Sequence, residues 1–266
     1  MLIDIFAIVA VLGAIATVAF TPCAWYWVLL LALGYFWGLI FVHLLIALIV
    51  TLFIDTTKPV EGKVRRYFKF MVLHTVDGVL KVARVRIRLE GKQLIPTDRR
   101  FMLVSNHLSR FDPMVSMVAL KRTPLAFVSK PENFKIPIAG PYVHKCKFLS
   151  IDRENPRSAI TTLNTCVEYI KSGELSMGIY PEGTRSLTGE LGEFHDGVFK
   201  IARDTKAPIV IMTLHGTQNI AKNFPLRSTR VDMKIVRVIE PEEFSGMRTG
   251  AISSMVREVM EQELNK

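Results

Sequence analysis

A histidine and an aspartate five residues apart form the first pattern in the sequence with the types and spacing for chemistry. The segment reads Asn106-His107-Leu108-Ser109-Arg110-Phe111-Asp112 and follows a short apolar run. A carboxylate that contacts one imidazole nitrogen fixes the tautomer of the ring and leaves the other nitrogen free as a general base. The spacing therefore predicts a base, His107, oriented by Asp112. The plainer alternative is that Asp112 only caps a helix that begins there.

A second polar segment, residues 180–186, reads Tyr-Pro-Glu-Gly-Thr-Arg-Ser and comes directly after another apolar run. Gly183 lets the backbone approach a ligand, Thr184 offers a hydroxyl, and Arg185 offers a planar fork that suits a phosphate. Glu182 can orient Arg185 or bind a substrate hydroxyl. Taken alone, the segment also fits an ordinary polar surface turn, which is the commoner case.

Together the two segments resemble the motifs of the glycerolipid acyltransferase family, specifically of the 1-acyl-sn-glycerol-3-phosphate acyltransferases. The resemblance runs from about residue 85 to residue 216. It implies that His107 deprotonates the free hydroxyl of a lysophospholipid, which then attacks an acyl thioester, while Asp112 orients His107. It also implies a set of substrate-binding residues that hold the acceptor phosphate: Glu182, Gly183, Thr184, Arg185 and, in the family's middle block, Arg153.

The implied reaction transfers an acyl group to the sn-2 hydroxyl of lysophosphatidic acid and gives phosphatidic acid. The resemblance implies no metal and no cofactor, with acyl-CoA or an acyl carrier protein as the thioester co-substrate. Another lysophospholipid or an acylated amino-acid lipid remains an alternative acceptor. A non-catalytic lipid-binding module at the membrane surface is the alternative from a different class. Nucleic acid is not expected as a partner, because the sequence shows no recognition-helix, zinc-finger or aromatic-basic signature.

The charges of the chain are divided very unevenly along its length. The 266 residues include 34 lysines and arginines against 24 acidic residues, a net charge of +10, yet residues 1–54 contain one charged side chain, Asp4. Such an apolar leader before a basic body excludes intrinsic disorder, and three scattered cysteines exclude a disulfide-stapled scaffold.

The leader consists of two apolar runs separated at Pro22, so residues 1–54 are predicted to form a membrane-embedded helical hairpin. The hairpin either spans the bilayer or dips into one leaflet. Basic residues follow it closely and place the body on the cytoplasmic side of the membrane. Gly34 and Gly38 are predicted to pack against Ala10 and Ala14, unless these small residues are only typical membrane-helix composition.

Residues 55–84 are predicted to form a basic amphipathic helix at the membrane interface. Apolar residues recur at helical spacing from Val60 to Val72, with lysines and arginines between them. The alternative is a helix whose apolar face packs on the body and whose basic face is solvated.

Residues 85–266 alternate short apolar runs with helical patterns, which predicts an α/β sandwich with a central sheet that is at least partly parallel. The resemblance implies a mixed sheet. Strands are predicted at residues 85–89, 101–104, 125–128, 148–151, 177–180, 209–214 and 231–238. Helices are predicted from residue 112 onward and at residues 156–171, 197–204 and 248–263.

Overall fold

A single mixed sheet forms the centre of the computed structural model, which describes residues 2–22, 24–152, 155–186 and 188–266. The strands of this part of the chain are β1 Val85–Glu90, β2 Met102–Ser105, β3 Leu125–Ser129, β4 Leu149–Ser150, β5 Ser176–Ile179, β6 Ile209–His215 and β7 Thr229–Ile239. Their order across the sheet is β1-β7-β6-β2-β5-β3-β4. The β6–β7 pair is antiparallel and the other neighbouring pairs are parallel.

Helices cover both faces of the sheet. They are α1 Leu2–Phe20, α2 Val28–Thr51, α3 Arg66–Val82, α4 Asp112–Ala119, α5 Ala139–Lys145, α6 Pro156–Lys171, α7 Lys200–Thr205, α8 Ile220–Asn223 and α9 Thr249–Leu264. Helix α3 contacts α4 and α5, whereas α6 contacts α7, and α9 packs on β6 and β7. The β2-α4-β3 and β5-α7-β6 connections run in opposite directions along the sheet, so right-handed crossovers place α4 and α7 on opposite faces. The predicted α/β sandwich with a mixed sheet is confirmed.

The burial of the strands follows from these two helical layers. Every residue of β2 and β5 is buried, and so is every residue of β6 except His215. The edge strand β1 instead alternates half-buried with exposed residues. Strands covered on both faces are expected to be continuous apolar runs, and this is why the central strands were recognisable in the sequence. Observed and predicted strand ends differ by at most two residues.

The sheet places the two polar segments side by side. Strands β2 and β5 are parallel neighbours, with Val104 opposite Ile179. Their carboxyl ends therefore lie at the same edge of the sheet, and the segments that begin after them, at His107 and Tyr180, emerge next to each other. We refer to this edge as the active edge.

Helices α1 and α2 form the predicted hairpin, and each is long and apolar enough to cross a membrane. They pack along each other with Ala10 and Ala14 of α1 buried. The predicted packing of Gly34 and Gly38 is wrong, because both are exposed and a Cβ added at either would meet no atom within 4 Å. Gly13 of α1 faces Tyr35 of α2 instead.

The amphipathic helix begins later in the chain than its apolar periodicity predicted. It starts at Arg66 rather than near Val60, because Pro59 and Gly62, which has a φ of 66°, interrupt the backbone before it.

The apolar face of α3 packs on the body, which is the alternative that the sequence left open. Met71 and Val72 are buried in the main hydrophobic core. Phe68 contacts the ring of Tyr142 at a centroid distance of 5.5 Å, and the Tyr67 and Tyr142 hydroxyls lie 3.0 Å apart. Lys63, Arg65 and Arg66, at and before the start of α3, remain exposed to solvent.

The helix predicted at residues 197–204 is a 3-10 turn, Asp196–Phe199, that continues into α7. The helix predicted at residues 156–171 is confirmed as α6, where the side chain of Asn155 accepts a hydrogen bond from the Ser158 N–H.

Gly178 is expected to be essential for the packing of the central strands. A Cβ at this position would overlap the ring of Phe127, which is fully buried on β3. We expect Gly178→Ala to lower the free energy of unfolding by about 1–3 kcal/mol, the usual cost of overpacking a core. The measurement is the thermal unfolding midpoint in a mild detergent. Gly197→Ala is the matched control, because its Cβ would enter open space; equal midpoints for the two variants would contradict the packing argument.

Candidate active site

His107 and Asp112 are in direct contact at the active edge. The imidazole Nδ1 lies 2.7 Å from Asp112 Oδ2. An ionised carboxylate only accepts hydrogen bonds, so Nδ1 carries the proton and Nε2 is left unprotonated in the neutral ring. The His107 side chain retains 18% exposure, whereas Asp112 is fully buried. The arrangement is that of a general base whose tautomer is set by a buried carboxylate.

Asp112 does not cap the helix that begins with it. Its Oδ2 atom accepts hydrogen bonds from the backbone N–H groups of Leu108 and Ser109, at 2.7 and 2.8 Å, both of which precede the helix. The turn between the two residues is therefore wrapped around the carboxylate. Three donors converge on one oxygen, so the alternative of a plain N-cap is wrong.

The Tyr180 ring stacks on the imidazole of His107, with ring centroids 4.4 Å apart and an interplanar angle of 22°. Phe127 stacks with Tyr180 in turn, at 5.9 Å and 12°. Burial raises the pKa of the Tyr180 hydroxyl well above its ordinary value, and the nearby Asp112 carboxylate acts in the same direction. The hydroxyl is buried beside the His107–Asp112 pair and has no hydrogen-bond partner among the described residues. The sequence predicts that Tyr180 ends a strand but carries no signal for this stacking.

The second polar segment holds the main chain of His107 on both sides. The His107 N–H donates to Glu182 Oε1 at 2.7 Å, and the Ser186 N–H donates to the His107 carbonyl at 2.8 Å. The two segments are thereby joined through backbone groups, which fixes the position from which the imidazole projects.

Glu182 contacts backbone groups rather than Arg185, so the predicted orientation of Arg185 by Glu182 is not what the structure shows. Its second oxygen, Oε2, accepts from the Gly192 N–H at 2.8 Å. Burial raises the pKa of Glu182, while the hydrogen bonds from Gly192 and His107 oppose this rise. Glu182 therefore links the backbone of His107 to the loop that contains Gly192.

Helix α9 extends this tie to the carboxyl-terminal part of the chain. Arg257 Nη1 donates to the Gly192 carbonyl at 2.7 Å, and its guanidinium lies over the ring of Phe194. The same arginine pairs with Glu261 one turn further along the helix. A continuous series of contacts therefore runs from α9 through Gly192 and Glu182 to His107.

The other predicted substrate-binding residues differ in exposure. Gly183 is buried and has a φ of 68°, a conformation that favours glycine. Thr184 and Arg185 are exposed beside it, with side chains that can reach a ligand at the active edge. Arg153 lies outside the described residues.

Asn106 secures the other side of the site. Its side chain accepts a hydrogen bond from the Leu214 N–H at 2.8 Å and donates to the Leu214 carbonyl at 3.0 Å. The residue is almost fully buried and satisfies both backbone groups of one residue on β6. The end of β6 is thereby attached to Asn106, the residue before His107.

No group of three or more histidine, cysteine or acidic residues with metal-binding geometry occurs within the described ranges. Cys146 and Cys166 are buried free thiols, and burial raises the pKa of each to about 12. Thiols of this kind are not activated as nucleophiles.

Comparisons with known proteins give relatives from the family that the two motifs resemble. Residues 86–215 match the family model described as Acyltransferase. A chloroplastic 1-acyl-sn-glycerol-3-phosphate acyltransferase of Arabidopsis thaliana is 34% identical over 157 residues, which cover 59% of this chain and 43% of the relative. A probable 1-acyl-sn-glycerol-3-phosphate acyltransferase of Mycoplasma genitalium is 25% identical over 215 residues, covering 76% of this chain and 77% of the relative.

The fold is also found in a solved structure, that of the 1-acyl-sn-glycerophosphate (LPA) acyltransferase PlsC from Thermotoga maritima. It superposes with a TM-score of 0.57 at 24% identity and covers 76% of this chain and 83% of that one. The chain spans less than half of the length of the first plant relatives that it matches. Residues 86–215 therefore resemble the Acyltransferase family, and the resemblance to 1-acyl-sn-glycerol-3-phosphate acyltransferases that the two motifs predicted is confirmed.

Proposed function

We propose that the chain transfers an acyl group from a thioester to the sn-2 hydroxyl of lysophosphatidic acid, giving phosphatidic acid for phospholipid synthesis. The observation that carries the proposal is the contact between His107 Nδ1 and the buried carboxylate of Asp112, within a loop clamped by the second motif. The names of the relatives support the choice of acceptor.

In the proposed mechanism His107 Nε2 removes the proton from the acceptor hydroxyl. The oxygen then attacks the thioester carbonyl, the carbon–sulfur bond breaks, and the sulfur leaves with the proton that the imidazolium returns. Asp112 holds the ring in the tautomer with Nε2 free and stabilises the imidazolium between the two proton transfers. No covalent acyl-enzyme is required.

Arg185 is proposed to bind the acceptor phosphate, with Thr184 and the backbone at Gly183 beside it. Its guanidinium is exposed next to the loop that holds His107, and a planar fork suits two phosphate oxygens. Arg153 is proposed as a second phosphate ligand, on the resemblance alone. The thioester donor is proposed to be acyl-CoA or an acyl carrier protein.

The domain is proposed to act on the cytoplasmic side of the membrane. The apolar helices α1 and α2 support membrane association, and the exposed Lys63, Arg65 and Arg66 follow them closely in the chain. Excess positive charge on this side of a membrane helix is the usual signal for cytoplasmic orientation.

His107→Ala is expected to lower kcat for acyl transfer by about 10²–10⁴-fold, the usual contribution of a general base. The assay supplies purified protein with lysophosphatidate and either acyl-CoA or an acyl-charged carrier protein, and measures phosphatidate by mass. His195→Ala is the matched control, because His195 is an exposed histidine without a carboxylate at the motif spacing. Wild-type turnover by the His107 variant would remove its role as the base.

Arg185→Ala is expected to raise the KM for lysophosphatidate about 10- to 100-fold with a smaller change in kcat, because a hydrogen bond to a charged group contributes about 1.5–3 kcal/mol. The measurement is a titration of the acceptor at saturating donor. Arg122→Ala serves as the control, since it removes an exposed arginine from the turn before β3, at the opposite edge of the sheet. An unchanged acceptor KM in the Arg185 variant would contradict its assignment to the phosphate.

Glu182→Gln is expected to lower kcat while leaving the acceptor KM close to that of the wild type. The glutamine NH2 group is a donor and would face one of the two backbone N–H groups that now donate to the carboxylate. Losing that hydrogen bond is expected to cost about 1–3 kcal/mol in the loop that positions His107. Steady-state kinetics separates the two parameters. A selective rise in acceptor KM would instead assign Glu182 to substrate binding, as the resemblance implied.

A further inference from the structure

The loop that joins β6 to β7, residues 216–228, presents exposed apolar side chains at its tip. Phe224 is 49% exposed and Leu226 is 84% exposed. The loop contains no acidic residue. Large apolar side chains in solvent are ordinary when they are scattered singly, but a group of them within a basic surface indicates a contact with a partner.

The tip belongs to a surface that continues from the base of the membrane hairpin. Arg84 Nη1 donates to the Leu226 carbonyl at 3.0 Å, and Arg84 follows directly after the end of α3. On the last turn of α3, Val79 and Val82 are also exposed. Together, Val79, Val82, Phe224 and Leu226 form what we call the apolar rim.

Helix α3 is in turn attached to the first turn of α1. Lys81 forms an ion pair with Asp4, and Gly78 lies against Ile3. The start of α1 is the end of the hairpin nearest to the body, so these contacts place the apolar rim beside the point where the hairpin leaves the domain.

Strand directions place the apolar rim at the active edge. Strand β1 is parallel to β7, β7 is antiparallel to β6, and β6 is parallel to β2. The start of β1 and the end of β2 therefore share one edge. The two strands are three spacings apart in the sheet, which corresponds to about 14 Å between Arg84 and the strand that carries His107.

The charge around the apolar rim is positive. Arg84, Lys222 and Arg227 are exposed there. The nearby Arg230 is paired with Asp232 at 2.9 Å, so the one acidic side chain at the start of β7 is already neutralised. Apolar tips surrounded by basic side chains are complementary to the headgroup region of an anionic bilayer.

We propose that the apolar rim is a second membrane contact, in which Phe224 and Leu226 enter the headgroup region of an anionic bilayer and Arg84, Lys222 and Arg227 bind lipid phosphates. With the hairpin as the first contact, this second attachment restricts the rotation of the domain on the membrane. The active edge then faces the bilayer surface, and a lipid can move from the bilayer to His107 without crossing the solvent.

The proposal is tested with nitroxide spin labels on the full chain in vesicles that contain one-third phosphatidylglycerol. The label is attached at Leu226→Cys after Cys23, Cys146 and Cys166 have been replaced by alanine. Leu94→Cys is the matched control, because Leu94 is an exposed apolar residue that follows the end of β1, at the edge of the sheet opposite the active edge. Accessibility to oxygen and to a water-soluble nickel chelate measures the depth of each label.

The expected result is that the label at 226 is several-fold more accessible to oxygen than to the nickel chelate, with the reverse at 94. Equal accessibility of both labels to the chelate would overturn the proposal. Protection of 226 that persists in detergent and depends on protein concentration would also overturn it, because a second protein molecule would then cover the tip.

A second measurement tests whether the basic side chains of the loop bind lipid headgroups. Lys222→Gln combined with Arg227→Gln is expected to reduce the protection of the label at 226 in anionic vesicles and to have little effect in vesicles of phosphatidylcholine alone. A loss of equal size in both lipids would contradict the assignment of these cations to headgroup phosphates. Neither readout depends on catalysis, so the result stands apart from the assay for acyl transfer.

Discussion

The position of the His107 imidazole depends on the main chain of that residue, which residues of the second motif hold from both sides. Its N–H donates to the buried carboxylate of Glu182, and its carbonyl accepts from Ser186. These contacts are possible because β2 and β5 are parallel neighbours whose carboxyl ends meet. The parallel pair brings the two motifs together, and the imidazole is then directed by the hydrogen bond to Asp112 and the stacked ring of Tyr180. The order of the strands therefore determines the geometry around His107.

Two buried carboxylates serve the site in different ways. Burial of an ionised carboxylate is unfavourable unless hydrogen bonds satisfy its oxygens. Asp112 receives all three of its donors on Oδ2, from its own turn, while its buried Oδ1 accepts no hydrogen bond from the described residues, so that carboxylate sets the ring. The two oxygens of Glu182 receive one donor each from separate loops, so that carboxylate sets the backbone. The two motifs thus fix both the direction of the His107 imidazole and the position of its backbone.

Much of this arrangement could be predicted from the sequence, because buried strands are apolar runs and because the His107–Asp112 contact is local. The partner of Glu182 could not be predicted, since Gly192 and the His107 N–H reach it only through the tertiary fold. The same is true of the Tyr180 ring, whose stacking depends on the neighbouring strand. Helix periodicity alone also misplaced the start of α3, where Pro59 and Gly62 prevail over the apolar pattern. Apolar spacing alone does not show where proline or glycine interrupts a helix. It also does not show which groups distant in the chain come into contact in the fold.

The attachment of α9 to the site has a consequence for the order in which the protein is made. Within the described sheet, β1 pairs with β7, and Arg257 of α9 supports Gly192 behind Glu182. Both partners follow the apolar hairpin and the two polar loops in the chain, so the ribosome releases them later. The loops that carry His107 and Glu182 therefore emerge before the strand and the helix that support them. The active edge is completed only after the hairpin has been synthesised.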